Sequence, residues 1–580
     1  MNSQMPIFTE QTRCQDCYKC VRACPVKAIR VQNESAAVIA ERCIYCGTCV
    51  NVCPVGAKKV RDDLSRAKLL LKRKAKVIVS LAPSFTTEFP AMEPGRLIRS
   101  LKTLGFWGVS ETALGAEHVS AACAATLKVG PPGAYISTAC PSVVEMVRKY
   151  YPDLVPDLLR LVSPLQAHCA LLRETYGEDV GIVFIGPCIS KKLESDAAPD
   201  RLHVALTFRE LQRWFEDRGI DPSSEAPLPE DVFVPRLAAE GALYPMDGGM
   251  NHGISARLDD PSVRYMALSG VANLQHSMEG LKEASVGKRL FLELLACEGG
   301  CVNGPQARSS CGTVLKRLQM MDYVKDGELI QDSSLDLHRE VEASALPGTI
   351  HETAELLQCL RRLGKTTKED ELNCGGCGYD TCRTLAGAML DGRAEPNMCV
   401  SYMRKLALNK ANALIRAMPT GAVIVDENLF IVDCNHKFAE ILGGETLTVY
   451  EAKPGMGGAD LRKVLPFHEL FAKGLDAEVA PLRKDLRLGD RVVRVTIFPI
   501  ETGSLVGGIL QDITEPAVQR EEIIQQAQAV IRKSLTTVQQ IAYLLGENAA
   551  DTELMLNGII DSYRLAPAGE AARGKDPRHV

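Results

Sequence analysis

Sixteen of the 21 cysteines in this 580-residue chain fall into four groups with the spacing of metal-cluster ligands. Residues 14–24 read Cys14-x2-Cys17-x2-Cys20-x3-Cys24-Pro25, and residues 43–53 repeat the run as Cys43-x2-Cys46-x2-Cys49-x3-Cys53-Pro54. Three thiols at every third residue, closed by a fourth before proline, form an iron–sulfur cluster signature. A disulfide framework is the alternative in a secreted chain. The start MNSQMPIFTEQTRC has no basic segment followed by an apolar one, so no signal peptide is expected. Zinc sites usually pair two separated Cys-x2-Cys units, which is a different pattern.

The two runs resemble those of bacterial two-cluster ferredoxins, where the fourth cysteine of each run ligates the other cluster. The resemblance implies one four-iron cluster on Cys14, Cys17, Cys20 and Cys53, and a second on Cys43, Cys46, Cys49 and Cys24.

At about 100–200 residues per domain, the length predicts three to five domains. Apolar residues make up 46% and charged residues 24%, as in ordinary globular proteins. A net charge of −5 gives no electrostatic reason to expect nucleic acid as a partner. No apolar run approaches the roughly 18 residues of a membrane helix. The thiol count and the absence of a leader predict a cytoplasmic, reducing compartment.

The pattern along the chain predicts a multidomain α/β and α+β protein. Residues 1–62 form the two-cluster ferredoxin-like unit. In 75–345, short β-rich runs at Val77–Leu81, Ala134–Ser137, Gly181–Ile185 and Leu290–Leu295 alternate with helical patterns such as Ser142–Tyr151 and Pro164–Tyr176. That order predicts parallel sheet. Residues 350–404 carry Cys374-x2-Cys377-x4-Cys382-x16-Cys399, a further four-iron site with zinc as the alternative. Residues 405–515 read as a small sensory-type domain with late antiparallel strands. From 516 to 565 the pattern is helical, with Ile524, Ile531, Val538 and Leu545 in a heptad that favours helix pairing or packing on its own domain. The tail 566–580 is polar, and disorder is expected there.

Four cysteines of the central region each follow a predicted strand: Cys140 in ThrAlaCysPro, Cys188 in GlyProCysIleSerLys, and Cys297 with Cys301 in GluLeuLeuAlaCysGluGlyGlyCysValAsnGly. Ligands of open α/β sheets sit beyond the carboxyl ends of strands, so three such loops can converge on one cluster. Pro141 begins a predicted helix whose N-terminal amides favour an anionic centre.

In these loops the chain resembles the iron–iron hydrogenases over roughly residues 1–345. The resemblance implies that Cys140, Cys188, Cys297 and Cys301 hold the four-iron cubane of an H-cluster. Cys301 would bridge to the diiron subsite, and Lys191 would contact a cyanide ligand there; Cys301, Lys191 and Cys188 are the expected catalytic positions. The departures are specific. Ala139 stands where the family has a proton-relay cysteine, and Gly186 and Leu295 stand where it has methionines. Alanine cannot carry a proton, so turnover should be slow unless another group substitutes. Cys169, beside His168, and Cys123 are the candidates, although an ordinary buried thiol is the commoner reading of either.

MetProThrGlyAlaValIleValAsp (418–426), the run 431–443 and GlnAspIleThrGlu (511–515) resemble a PAS domain. Hydrogenase-like domain, extra cluster and PAS domain together resemble the sensory branch of the iron–iron hydrogenases. The implied cofactors are three four-iron clusters and an H-cluster. The implied partners are hydrogen and protons, a redox partner such as ferredoxin, a downstream signalling protein, and a second copy paired through the PAS domain and C-terminal helix. Three functions stand open: a hydrogen or redox sensor, a catalytic hydrogenase, and a non-catalytic iron–sulfur relay or scaffold. Cys311, Cys359 and Cys434 have no evident partners and read as ordinary thiols.

Overall fold

The computed structural model describes residues 5–514 apart from 91, 326, 349 and 476–480, together with residue 530. Apart from that residue, the heptad segment and the tail lie outside the described residues. The chain divides into two compact units between Glu395 and Pro396.

The cysteine repeat opens the first unit. Strand Ile7–Thr9 pairs antiparallel with Lys58–Val60, and Ile29–Gln32 forms a hairpin with Ser35–Val38. Each half carries a short helix just after its second cysteine, Lys19–Ala23 and Thr48–Val52. Asp16 and Tyr18 (φ 51° and 56°) in one half match Tyr45 and Gly47 (φ 56° and 81°) in the other. Two left-handed residues in one loop are unusual outside glycine. Both halves adopt them at the same places, so the loop shape belongs to the spacing of the thiols.

The central region is built on two parallel sheets rather than one. The first has the order Gly108–Glu111, Val77–Leu81, Gly181–Gly186, Val204–Thr207; the second has the order Val263–Ser269, Arg289–Leu295, Gly133–Ile136. Val77–Leu81 and Gly181–Gly186 are buried along their whole length, as parallel strands covered on both faces must be. Three strands escape the sequence pattern: Gly108–Glu111 and Val204–Thr207 are four residues long, and Val263–Ser269 is mostly half-exposed. Helix Pro164–Tyr176 is where the sequence puts it, capped by Ser163, whose side chain accepts from the Gln166 amide.

A buried ion cluster ties the end of the cysteine repeat to the first sheet. Lys192, on helix Ser190–Ala197, has no solvent exposure; its amine donates to Asp63 Oδ2, to both oxygens of Glu210 and to the Ala205 carbonyl, all at 2.9 Å. Arg61 and Arg66 close the cluster against Asp63 and Asp196. Burial alone would raise the Asp63 pKa, but Lys192, Arg61 and Arg66 outweigh it and hold the carboxyl below its usual range.

In the second unit, helix Val400–Ala417 leads into a five-stranded antiparallel sheet. Its order is Ile431–Cys434, Gly421–Asp426, Leu505–Asp512, Arg491–Glu501, Leu482–Leu488. Leu482–Leu488 was not expected from the sequence; its side chains are half-exposed or exposed, so apolar content does not mark it. Asn435 is fully buried and has its side chain satisfied. Its Oδ1 accepts from the Ala422 and Phe438 amides, and its Nδ2 donates to the Ile415 and Thr420 carbonyls. It caps helix His436–Leu442 and fixes that helix to the first strand of the sheet.

Replacing Lys192 by methionine leaves Asp63 and Glu210 buried without their shared cation. The expected cost is about 3–5 kcal/mol, read as a lower midpoint of chemical denaturation.

Candidate metal centre

Three loops leave the carboxyl ends of strands and meet. Strand Gly133–Ile136 runs into Ser137-Thr138-Ala139-Cys140, where Cys140 is the extended residue before helix Pro141–Tyr150. Strand Gly181–Gly186 delivers Cys188 just ahead of helix Ser190–Ala197. Strand Arg289–Leu295 delivers Cys297, and the chain then doubles back through Gly299 and Gly300 (φ 75° and 99°) to Cys301. A Cβ on Gly300 would lie 2.2 Å from the Pro245 carbonyl oxygen, so the return to Cys301 requires glycine.

The thiols of Cys140, Cys188, Cys297 and Cys301 line one enclosed cavity, and Tyr45 and Cys46 of the cysteine repeat line it with them. Four thiols lining one cavity suit a cluster that takes four cysteine ligands, and among the described residues no three side chains converge as the ligands of a single zinc ion would. Burial pushes the Cys140, Cys297 and Cys301 thiols up, and neighbouring thiols push them further. As bare thiols they stay protonated near neutrality, and a cationic iron centre is what would hold them as thiolates.

Polar groups gather at the same strand ends. The Lys191 amine donates to Glu194 Oε2 at 2.7 Å and to Ser163 Oγ at 3.1 Å. Ser84 Oγ, Gln166 Oε1 and Glu194 Oε1 are buried without a hydrogen-bond partner among the described residues. Ser84 follows Val77–Leu81, the neighbour of Gly181–Gly186 in the sheet, and Glu194 lies on the helix that follows Cys188. Buried polar atoms are normally satisfied, and this group suits a ligand with hydrogen-bonding ends beside the thiols. Sequence reasoning found Lys191 but missed Ser84, Ser163, Gln166 and Glu194. The available signals were the Ser163-Pro164 helix start and the i, i+3 spacing of Lys191 and Glu194.

The departures have structural causes and consequences. A Cβ on Gly186 would meet the Phe184 ring at 2.5 Å and Ala82 Cβ at 2.7 Å, so the space a longer side chain would need is already filled. Ala139 is half-buried, and its amide donates to Ser137 Oγ at 3.2 Å. Cys123 and Cys169 are fully buried in apolar clusters, and burial pushes the Cys169 thiol up to about 12. His168 lies between Ser80 Oγ on Nδ1 and Ser110 Oγ on Nε2, both at 2.8 Å, and burial lowers its pKa to about 3. Neither thiol nor this imidazole titrates where a proton relay works. Cys311 is half-buried in a loop; Cys359 and Cys434 are buried in core clusters, with Cys434 pushed up to about 12 by burial.

In the cysteine repeat, burial pushes Cys20 up to about 11, and Cys17, Cys14 and Cys53 are the thiols that add to it. Cys49 is raised by burial together with Cys43, Cys46 and Cys24. The thiols therefore gather in two sets that exchange their fourth members between the halves. Backbone amides point at the sulfurs, Ala28 to Cys24 and Ala57 to Cys53 at 3.2 Å each. Farther on, Cys377 and Cys382 are buried and Cys374 is exposed; Asn373 Oδ1 accepts from the Cys382 amide at 2.8 Å. Cys399 belongs to the second unit, where it precedes helix Val400–Ala417.

Comparison with known proteins gives three family matches. Residues 75–305 match the iron only hydrogenase large subunit, C-terminal domain; residues 13–57 match a 4Fe-4S dicluster domain; residues 370–401 match an Fe-S cluster family. Iron hydrogenase 1 of Clostridium pasteurianum is 25% identical over 298 residues, 42% of this chain and 52% of that protein. The chain thus spans about half the length of that relative. The periplasmic Fe hydrogenase large subunit of Nitratidesulfovibrio vulgaris is 26% identical over 298 residues, 41% of this chain and 68% of that subunit. A solved FeFe-hydrogenase of Chlamydomonas reinhardtii aligns over 49% of this chain and 100% of its own, at 19% identity and a TM-score of 0.37.

The cavity depends on a close contact between repeat and loops. A Cβ on Gly47 would lie 2.5 Å from Pro305 Cβ and 2.8 Å from Ile189 Cδ1, whereas one on Gly56, also at positive φ, meets nothing within 4 Å. Gly47→Ala should therefore destabilise the protein by about 1–3 kcal/mol more than Gly56→Ala does, because overpacking adds to backbone strain. Paired denaturation midpoints of the two variants measure the difference.

Proposed function

We propose, from a central region that belongs to the iron-only hydrogenase large-subunit family, that this iron–sulfur protein senses hydrogen or redox state through a slow hydrogenase site. Cys140, Cys188, Cys297 and Cys301 would hold the cubane of an H-cluster, and Cys301 would be the thiolate that also serves its diiron part. When bound, that group interconverts hydrogen with two protons and two electrons. Lys191 keeps a positive charge beside an anionic ligand and is itself held by Glu194 and Ser163. Cys14, Cys17, Cys20 and Cys53 hold one further four-iron cluster, Cys24, Cys43, Cys46 and Cys49 another, and the family match over residues 370–401 supports a further iron–sulfur site at the segment of Cys374, Cys377 and Cys382.

The observation that carries the sensory reading is Ala139. A full set of ligand thiols is retained around the cavity while the residue next to Cys140 cannot carry a proton, and the nearby thiols are buried in apolar clusters. A site that binds its ligand but transfers protons slowly serves detection better than flux. The second unit supports the same reading: its sheet order, second-first-fifth-fourth-third strand, with helices between the second and third, fits a PAS-like sensory domain. Output then passes to a signalling partner or through pairing of two copies.

A plain enzyme exchanging electrons with a carrier is the second reading, and one observation favours it. Beside Cys53 an open groove is lined by Lys59, Arg209, Arg213 and Arg308 together with Glu210 and Glu216. Although Lys59 and Arg213 pair with Glu10 and Asp62, cations outnumber carboxylates in the lining, which suits an acidic carrier such as a ferredoxin.

Infrared spectroscopy of the anaerobic, fully matured protein tests the site directly. Carbonyl and cyanide bands that shift under hydrogen are expected; their absence at full iron loading would remove the hydrogenase reading. Ala139→Cys should raise hydrogen turnover by about 10²-fold or more. An unchanged rate with the bands intact would show that the missing relay does not limit the site, and would return the choice to the plain enzyme.

A further inference from the structure

Helix Pro141–Tyr150 starts at Cys140 on the wall of the cavity and ends against the cysteine repeat. The Lys149 amine, in its last turn, donates to the Cys43 carbonyl at 2.8 Å. The Tyr150 hydroxyl donates to the Arg42 and Val26 carbonyls at 2.6 and 3.1 Å. Lys149 is only 8% exposed, and its charge is met by Glu145 Oε2 at 2.9 Å, one turn back on the same helix. Glu145 is held in turn by Arg148 at 2.6 Å. The Lys149 amine also lies 5.8 Å from the centre of the Tyr45 ring, and Tyr45 lines the cavity with Cys46.

The two halves of the repeat are built alike, so a difference between their clusters must come from a break in that likeness. The amide bonds to Cys24 and Cys53 are equal at 3.2 Å. Lys58, a buried amine of the repeat itself, donates to Thr9 Oγ1 and the Ala36 carbonyl and opposes the rise of both Cys20 and Cys49, so it favours neither set. Two features belong to the Cys43 side. The Tyr45 amide donates to Cys43 Sγ at 3.3 Å, and the Lys149 charge rests on the Cys43 carbonyl. In the first half Arg22 donates to the Cys17 carbonyl at 3.1 Å, but Arg22 is exposed. Water screens an exposed charge, whereas a buried one acts through a low dielectric. The helix alone would work the other way, because its carboxyl end carries partial negative charge, which disfavours an added electron; Lys149 cancels that charge.

We infer that Lys149 is a positioning charge for electron transfer: it raises the reduction potential of the cubane held by Cys24, Cys43, Cys46 and Cys49 above that of its twin. The set that borders the cavity through Cys46 is then the first acceptor of electrons leaving it. The inference deepens the proposed function and rests on the reading of these thiols as cluster ligands. In the step it serves, one electron passes from the cavity cubane, which is oxidised, to the Cys43 cubane, which is reduced. No bond forms or breaks and no proton moves. The added negative charge arrives beside an ammonium already fixed by Glu145 and the Cys43 carbonyl, so the charge that stabilises it needs no rearrangement.

The test is Lys149→Gln in the full, matured chain, which removes the charge, keeps a donor for the Cys43 carbonyl and leaves Glu145 paired with Arg148. Iron per chain is counted first, then an EPR-monitored redox titration follows each four-iron cluster. The cubane in question is the one whose signal changes in Cys43→Ser. Its midpoint should shift negative, with the reduction equilibrium weakened at least about tenfold, or ~59 mV for one electron, while the other clusters stay unmoved. Glu145→Gln, which frees the Lys149 charge, should shift the same midpoint positive. A midpoint unmoved by both variants at full iron loading, or an equal shift of every cluster, overturns the role of Lys149 and leaves the cluster reading standing. If Lys149→Gln fails to hold iron, Glu145→Gln decides by the same criterion. An unsubstituted, matured protein with no reducible signal that Cys43→Ser alters overturns the cluster reading and this inference with it.

Discussion

An ammonium without any exposure to water is tolerable only inside a matched set of carboxylates, and Lys192 sits in such a set. Asp63 comes from the segment that leaves the cysteine repeat, Glu210 from helix Phe208–Arg218, and Lys192 from the helix that starts two residues after Cys188. Three cations, Lys192, Arg61 and Arg66, face three carboxylates, Asp63, Glu210 and Asp196. Such a cluster is weak evidence for net stability, since desolvation offsets much of the attraction. Its value is geometric. Few other arrangements satisfy all six groups, so the exit of the repeat is held in one register against the sheet that presents Cys188 and Lys191.

From that register the rest of the centre follows. Cys46 can line the cavity only if the repeat approaches closely, and Gly47 against Pro305 and Ile189 makes the approach close. The thiols gathered there are buried and disfavour ionisation, so a fold assembled without iron holds protonated sulfurs packed together. A cluster inserted there would convert that unfavourable grouping into a stable one and so couple metal loading to the final packing of the loops. The Gly300 return and the Cys140 helix start are rigid features of the backbone and supply the frame into which a cluster fits.

The altered loop positions act together. Ala139 removes a titratable group, and Gly186 lets the Phe184 ring and Ala82 close the space beside the Cys188 loop. His168, held neutral between two serines, cannot compensate. Under the proposed function these positions keep the ligand thiols and lose a proton-moving group, the combination expected of a site that binds its ligand and turns it over slowly.

The sequence by itself marked the thiol runs, because the spacing of the first three cysteines of each run is local, while the exchange of the fourth between the runs was implied by the resemblance and is seen in the two sets of the folded repeat. It also determined the fully buried strands Val77–Leu81 and Gly181–Gly186, whose unbroken apolar runs allow little else, and the helix behind Ser163. The tertiary structure decided what depends on distant residues meeting. The division of the α/β region into two sheets is of this kind, because the short strand Gly108–Glu111 and the half-exposed Val263–Ser269 gain their identity from neighbours and not from their own pattern. So are Cys46 beside Cys297, Ser163 beside Lys191, and Gly378 against helix Lys19–Ala23. Periodicity and spacing report on the few residues around each position; a contact across hundreds of residues is set by packing and charge balance, which exist only once the chain has folded.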